Sequence, residues 1–146
     1  MVEVLRPLPD FAITWVDTGP ERFPAAIPGG VTALPAPDPA RALALAPQDA
    51  EVLILTYSHE LDLALCHAAL ARGQGRIGLI GSATKWTRFR SRLAQLGHAP
   101  ATVARIACPI GNPALGKHPQ AIAVGIAAAL LTEQGEEITA RQDRTG

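Results

Sequence analysis

The sequence predicts an α/β fold, a parallel sheet flanked by helices, and three observations carry that prediction. Two stretches, "EVLILTY" (51–57) and "RIGLIGS" (76–82), are apolar on consecutive positions, as strands buried on both faces require. Each runs directly into a helical pattern, "ELDLALCHAALARG" (60–73) and "TKWTRFRSRLAQLG" (84–97). Strand–helix–strand–helix at that spacing reads as βαβ units. Finally, 146 residues with 48% hydrophobic and 18% charged side chains suit one globular domain rather than a disordered chain.

The elements follow in order. "MVEVLRPLPDF" reads as the end of a helix with no strand before it, so the first strand and its Gly-rich turn are expected to be missing. "FAITWVD" (11–17) is a strand ending in an acid, and the turn-rich "TGPERFP" follows. "VTALPA" (31–36) fits a short edge strand. "PARALALA" (39–46) starts a helix after Asp38, with Pro39 at the first helical position. The 60–73 helix closes at Gly73. In the 84–97 helix, Trp86, Phe89, Leu93 and Leu96 fall on one face. A short turn or helix near 100–104 precedes "RIACPIG", a strand or extended run. "PQAIAVGIAAALLTEQ" (119–134) is the last helix, so the domain is expected to span 1–134 with a polar, frayed tail at 135–146.

Composition narrows the function. No apolar run approaches the roughly 20 residues of a membrane-spanning helix, and no export signal opens the chain. Two cysteines are too few for a disulfide scaffold, so reduced thiols and a cytoplasmic location are expected. There is no P-loop, GxGxxG or Ser/His/Asp order to support an NTPase, a nucleotide-dependent oxidoreductase or a hydrolase. The net charge is zero, yet no acid occurs between Leu63 and Thr132, where eight cations do: Arg72, Arg76, Lys85, Arg88, Arg90, Arg92, Arg105 and Lys117. Such a run is either chance or the surroundings of an anionic ligand. Nucleic acid fits less well, because the cations are not interleaved with aromatics and the pI is 6.9.

Ligands of open parallel sheets bind at the carboxyl ends of the strands, and four such ends carry polar residues here. Gly81-Ser82 opens the 84–97 helix; its free N–H groups suit an anion, and Lys85 sits in the first turn against the helix dipole. The plainer alternative makes Ser82 only a cap and Lys85 only exposed. Asp17 stands where dinucleotide-binding sheets hold a ribose hydroxyl, or it shapes the Asp-Thr-Gly-Pro turn. In "TYSHELD" (56–62), His59, Asp62 and Cys66 share a helix face, but their spacing matches no standard zinc pattern and no metal site is expected. Cys66 reads better as a small buried hydrophobe, and His59 as a polar contact. "CPIGNPALGKHP" (108–119) is a rigid loop ending at Lys117; Cys108 at its head either packs or meets a soft metal such as molybdenum.

Together, "WVDTGPERFP" (15–24), "LTYSHELDLAL" (55–65), "IGLIGSATK" (77–85), "CPIG" (108–111) and "GKHPQAIAVGIAAALL" (116–131) resemble the C-terminal Rossmann-like domain of the XdhC/CoxI family, the xanthine dehydrogenase accessory proteins. The resemblance runs from Val2 to Leu131 and implies a parallel Rossmann-like sheet. It implies a chaperone rather than an enzyme: one that binds molybdenum cofactor, a pterin bearing a phosphate, supports its maturation and delivers it to a xanthine-dehydrogenase-type molybdoenzyme. Cofactor-binding positions carried over are Asp17, Thr56, His59, Asp62, Gly81, Ser82, Lys85, Pro109, Gly111 and Lys117, with Cys108 beside them. The family's N-terminal domain is expected to be missing, Tyr57 stands where a His is usual, and Gly19 where an Arg is common. In a 3-2-1-4-5 strand order the missing strand is the central one. The rest of the sheet must then close the gap or borrow a strand, and a homodimer is expected. The alternatives are an NAD(P)-binding oxidoreductase-like domain and an interaction module without ligand. Neither nucleic acid nor membrane is an expected partner.

Overall fold

A computed structural model describes residues 1–8 and 11–145, with side chains described as far as Thr132. The backbone divides into two compact units, Thr14–Ile110 and Met1–Ile13 with Gly111–Gly146.

The first unit carries the strands: β1 (Ile13–Asp17), β2 (Val31–Pro35), β3 (Glu51–Ile54), β4 (Arg76–Leu79) and β5 (Ile106–Ala107). They form two sheets, β1–β2 and β3–β4–β5, rather than one. The three-stranded sheet is parallel, with Val52 opposite Ile77 and Ile77 opposite Ile106. Helices α2 (Pro39–Ala42), α3 (His59–Ala71), α4 (Ala83–Gln95) and α5 (Pro100–Val103) lie between or beside the strands. The chain is therefore α/β with parallel strands flanked by helices, as the apolar runs predict.

Local chemistry sets the helix ends. Ser58 Oγ accepts the Leu61 N–H at 3.3 Å and Ser82 Oγ accepts the Lys85 N–H at 3.1 Å, so each strand hands over to its helix through a serine cap. Gly73 (φ +77°) and Gly97 (φ +98°) end α3 and α4 alike. The next residue's N–H returns to a carbonyl five back, Gln74 to Ala69 at 3.0 Å and His98 to Leu93 at 3.1 Å. Ile54, Cys66, Leu70, Ile77, Leu79, Phe89, Leu93, Val103 and Ile106 make the core. Phe89 and Leu93 are buried and Trp86 is partly so, but Leu96 is 50% exposed, against expectation. It follows the last helical residue, where the chain turns off the core-facing side.

At the amino ends of these strands, Gln74 is fully buried, and its Nε2 lies against three carbonyls, Pro47 at 3.1 Å, Gln48 at 3.1 Å and Ala50 at 2.7 Å. Arg72 donates to the carbonyls of Leu43 and Ala46, and Arg105 to that of Gln74 at 2.7 Å. Arg76 meets Glu51 at 2.8 Å. Three cations of the acid-free run thus brace the amino edge of the sheet, away from the carboxyl ends at which open parallel sheets in general take ligands.

In the second unit, α1 (Val2–Leu5) packs along α6 (Pro119–Thr145). Leu5, Ala123, Ile126 and Leu130 are buried. Gly111 (φ +88°) leads into a short 3-10 turn at Pro113–Leu115, and a Cβ on Gly125 would come within 2.8 Å of the Asn112 nitrogen. Glycine on α6 lets the 111–115 loop lie against the helix backbone. Helix α6 continues through the region expected to be a tail, whose side chains (135–146) lie outside the described residues.

Candidate functional site

The carboxyl ends of β3 and β4 meet at one carboxylate. Asp62, in the first turn of α3, is 1% exposed. Its Oδ1 accepts the Thr56 N–H at 2.8 Å and its Oδ2 lies 2.7 Å from Lys85 Nζ. The same ammonium donates to the Ile80 carbonyl at 3.0 Å. Thr56 Oγ1 closes the loop locally, 2.9 Å from the Ser58 carbonyl and 3.1 Å from its N–H. One buried ion pair therefore latches the exit of β3 to the exit of β4.

Lys85 reaches that carboxylate by lying back over Gly81. A Cβ at Gly81 would meet Lys85 Cδ at 2.6 Å, so glycine here makes room for the lysine stem. A lysine in the first turn of a helix opposes the helix dipole, and Asp62, one residue before the acid-free run begins, supplies the opposite charge. Lys85 is therefore not merely exposed, as the plainer alternative has it: its ammonium is shared between the Asp62 carboxylate and the Ile80 carbonyl. Ser82 is exposed and its hydroxyl caps α4. The N–H groups of Ala83 and Thr84 in that first turn have no acceptor among the described residues.

The remaining expected positions separate. His59 is exposed at the start of α3, whereas Asp62 and Cys66 are buried on the inner face. Both Asp62 oxygens are occupied, so the trio does not converge. No group of three or more His, Cys, Asp or Glu among the described residues could hold a metal ion. Burial, reinforced by the Asp62 charge, pushes the Cys66 thiol up to about 12, and burial also raises Cys108 while Lys85 pulls it down. Both thiols are thus held protonated, the unreactive and weakly ligating form. Pro109 is exposed, and Ile110 packs over Gly78, where a Cβ would run into its side chain. Gly111 and Lys117 belong to the second unit, and Lys117 is exposed. Of the acid-free run, Arg88, Arg90 and Arg92 remain exposed on α4.

Asp17 shapes its own turn, accepting the Thr18 N–H at 2.8 Å, and draws Arg22 Nε to 3.4 Å. Arg22 lies over the Tyr57 ring, 3.9 Å from its centroid. Sequence reasoning did not single out Arg22, nor the pair His67 and His98, whose Nδ1 and Nε2 lie 2.7 Å apart between α3 and the residue after Gly97. Nothing in either local pattern marks a partner that many residues away.

A family model described as the XdhC Rossmann domain matches residues 1–130. The chain belongs to this family. A solved structure described as a xanthine dehydrogenase from Bacillus halodurans is 27% identical, with a TM-score of 0.66 over 83% of this chain. The chain spans 34% of that protein. A search of the curated proteins returned no match. In this XdhC Rossmann domain no helix among the described residues is long and apolar enough to cross a membrane.

Proposed function

We propose that this XdhC Rossmann domain is a non-catalytic accessory unit that binds molybdenum cofactor and supports its maturation and insertion into a xanthine-dehydrogenase-type enzyme. Family membership supports the accessory role, and the Asp62–Lys85 latch beside the open first turn of α4 carries the ligand reading. The residues present fit a phosphate. The unbonded N–H groups of Ala83 and Thr84 and the hydroxyl of Thr84 lie at an exposed helix start, with the Lys85 charge one residue further on. When bound, the cofactor supplies the molybdenum–pterin chemistry of the target enzyme.

The chain's own part is to grip and release. A phosphate on the first turn of α4 competes with Asp62 for Lys85; losing it returns the ammonium to the buried carboxylate. A grip balanced against an internal anion holds its cargo reversibly, which a delivery factor needs. The separation of β1–β2 from β3–β4–β5 supports a homodimer in which a strand of a second copy joins the sheets. The reduced, protonated thiols suit a cytoplasmic setting.

The test is production in a molybdopterin-making host followed by oxidation and pterin fluorescence. The wild type should carry pterin, whereas Asp62→Leu/Lys85→Met, which removes both charges and keeps apolar bulk, should lose it while staying folded. Titration with NAD(P) should show no saturation. A wild type free of pterin under every condition refutes the reading in favour of an interaction module.

A further inference from the structure

Three groups at the carboxyl ends of β1 and β3 are left partly unused. Tyr57 follows β3 and is 62% exposed, unusual for a large ring at a strand exit. Arg22 covers one face of that ring and touches Asp17 through Nε alone. Neither Nη1 nor Nη2 of Arg22 has an acceptor among the described residues, and Asp17 Oδ2 has no donor. The side chains of Arg22 and Asp17 are 39% and 22% exposed, so all three offer their free valences to solvent.

We infer that Tyr57, Arg22 and Asp17 form a ring-recognition corner that takes a planar heteroaromatic ligand bearing N–H donors and an anionic group. The exposed part of the Tyr57 ring supplies a stacking surface, Asp17 Oδ2 accepts from the ligand's ring N–H or amino groups, and the two outer nitrogens of Arg22 donate to its anion. Arg22 also orients the other two, because one guanidinium spans the carboxylate and the ring. A lone phosphate has no use for Tyr57, and a lone apolar ring has none for Asp17 or Arg22. The combination selects a ligand with both. This assignment rests on the proposed cofactor reading and adds where the ring would sit.

The experiment titrates the full chain with the fluorescent, oxidised phosphopterin derived from molybdopterin, with the same pterin after phosphatase treatment, and with AMP. Tyr57→Leu should weaken both pterins about tenfold and abolish stacking-dependent quenching, whereas Tyr57→Phe should bind as the wild type does. Arg22→Gln should weaken the phosphorylated form by about tenfold and the dephosphorylated form less, because the guanidinium both meets the anion and orients Tyr57 and Asp17. Tyr57-dependent binding of AMP alone supports the corner and refutes the pterin reading. Pterin binding that Tyr57→Leu leaves untouched overturns the corner and leaves the cofactor reading standing. A wild type that binds none of the three overturns both.

Discussion

Lys85 Nζ sits 2.7 Å from Asp62 Oδ2, with the lysine side chain 11% exposed and the aspartate 1%. Burying either charge alone is expensive, so their separate removal costs far more than their joint replacement. Lys85→Ala should destabilise the fold by about 3–5 kcal/mol, because it strands a buried carboxylate. Asp62→Leu/Lys85→Met should return to within about 1 kcal/mol of the wild type or exceed it. Urea unfolding of the single and double variants measures the difference, and equal losses in both would contradict the pairing.

Gln74 makes a second strong prediction. Its amide faces three carbonyls of the 47–50 loop, while its Oε1 is buried with no donor among the described residues. Gln74→Met keeps the volume but removes the amide that donates to the Pro47, Gln48 and Ala50 carbonyls. A loss of about 3 kcal/mol is expected, together with faster amide exchange through the loop.

The thiols predict both reactivity and an alkaline limit. Cys66, raised to about 12 chiefly by burial, should resist thiol reagents at pH 8 until the chain unfolds, and Cys108 should react more slowly than a free cysteine. Their folded pKa values lie above the unfolded ones. Their contribution is therefore complete below the ordinary value of 9.0 and is lost as pH rises above it, for Cys66 as pH approaches about 12. Cys66→Ala should flatten that alkaline decline, which a melting series from pH 8 to 11 would record.

His98 contributes to the pH dependence of stability on the acid side. Burial and the neighbouring His67 lower His98 below its ordinary 6.5. In this case the unfolded chain binds the proton more readily, so stability falls as pH drops through 6.5 and below. His98→Phe should reduce the slope of melting temperature against pH between 7 and 5. An unchanged slope would show that His98 titrates independently of folding.

What the sequence made legible was local. Consecutive apolar residues in 51–57 and 76–82 mark strands because buried parallel strands need no alternation, and Ser58, Ser82, Gly73 and Gly97 mark helix ends because caps are chosen by backbone geometry. Leu96 lies off the core because helical periodicity continues in sequence after the helix has ended in space. The acid-free run was visible but its division was not: Arg72, Arg76 and Arg105 brace one edge, Lys85 latches the other, and only the fold assigns them. Asp62 with Lys85, His67 with His98 and Arg22 with Tyr57 are contacts between different loops and helices, which no local period announces.

The proposed phosphate grip requires Lys85 to divide itself between the internal Asp62 carboxylate and the ligand. Nitrogen-15 NMR of the Lys85 ammonium, during titration with the oxidised phosphopterin, reads that division. A saturable shift of the Nζ resonance, absent with the dephosphorylated pterin, is the predicted result. A resonance that stays where Asp62 holds it, while the pterin demonstrably binds, would contradict the claim.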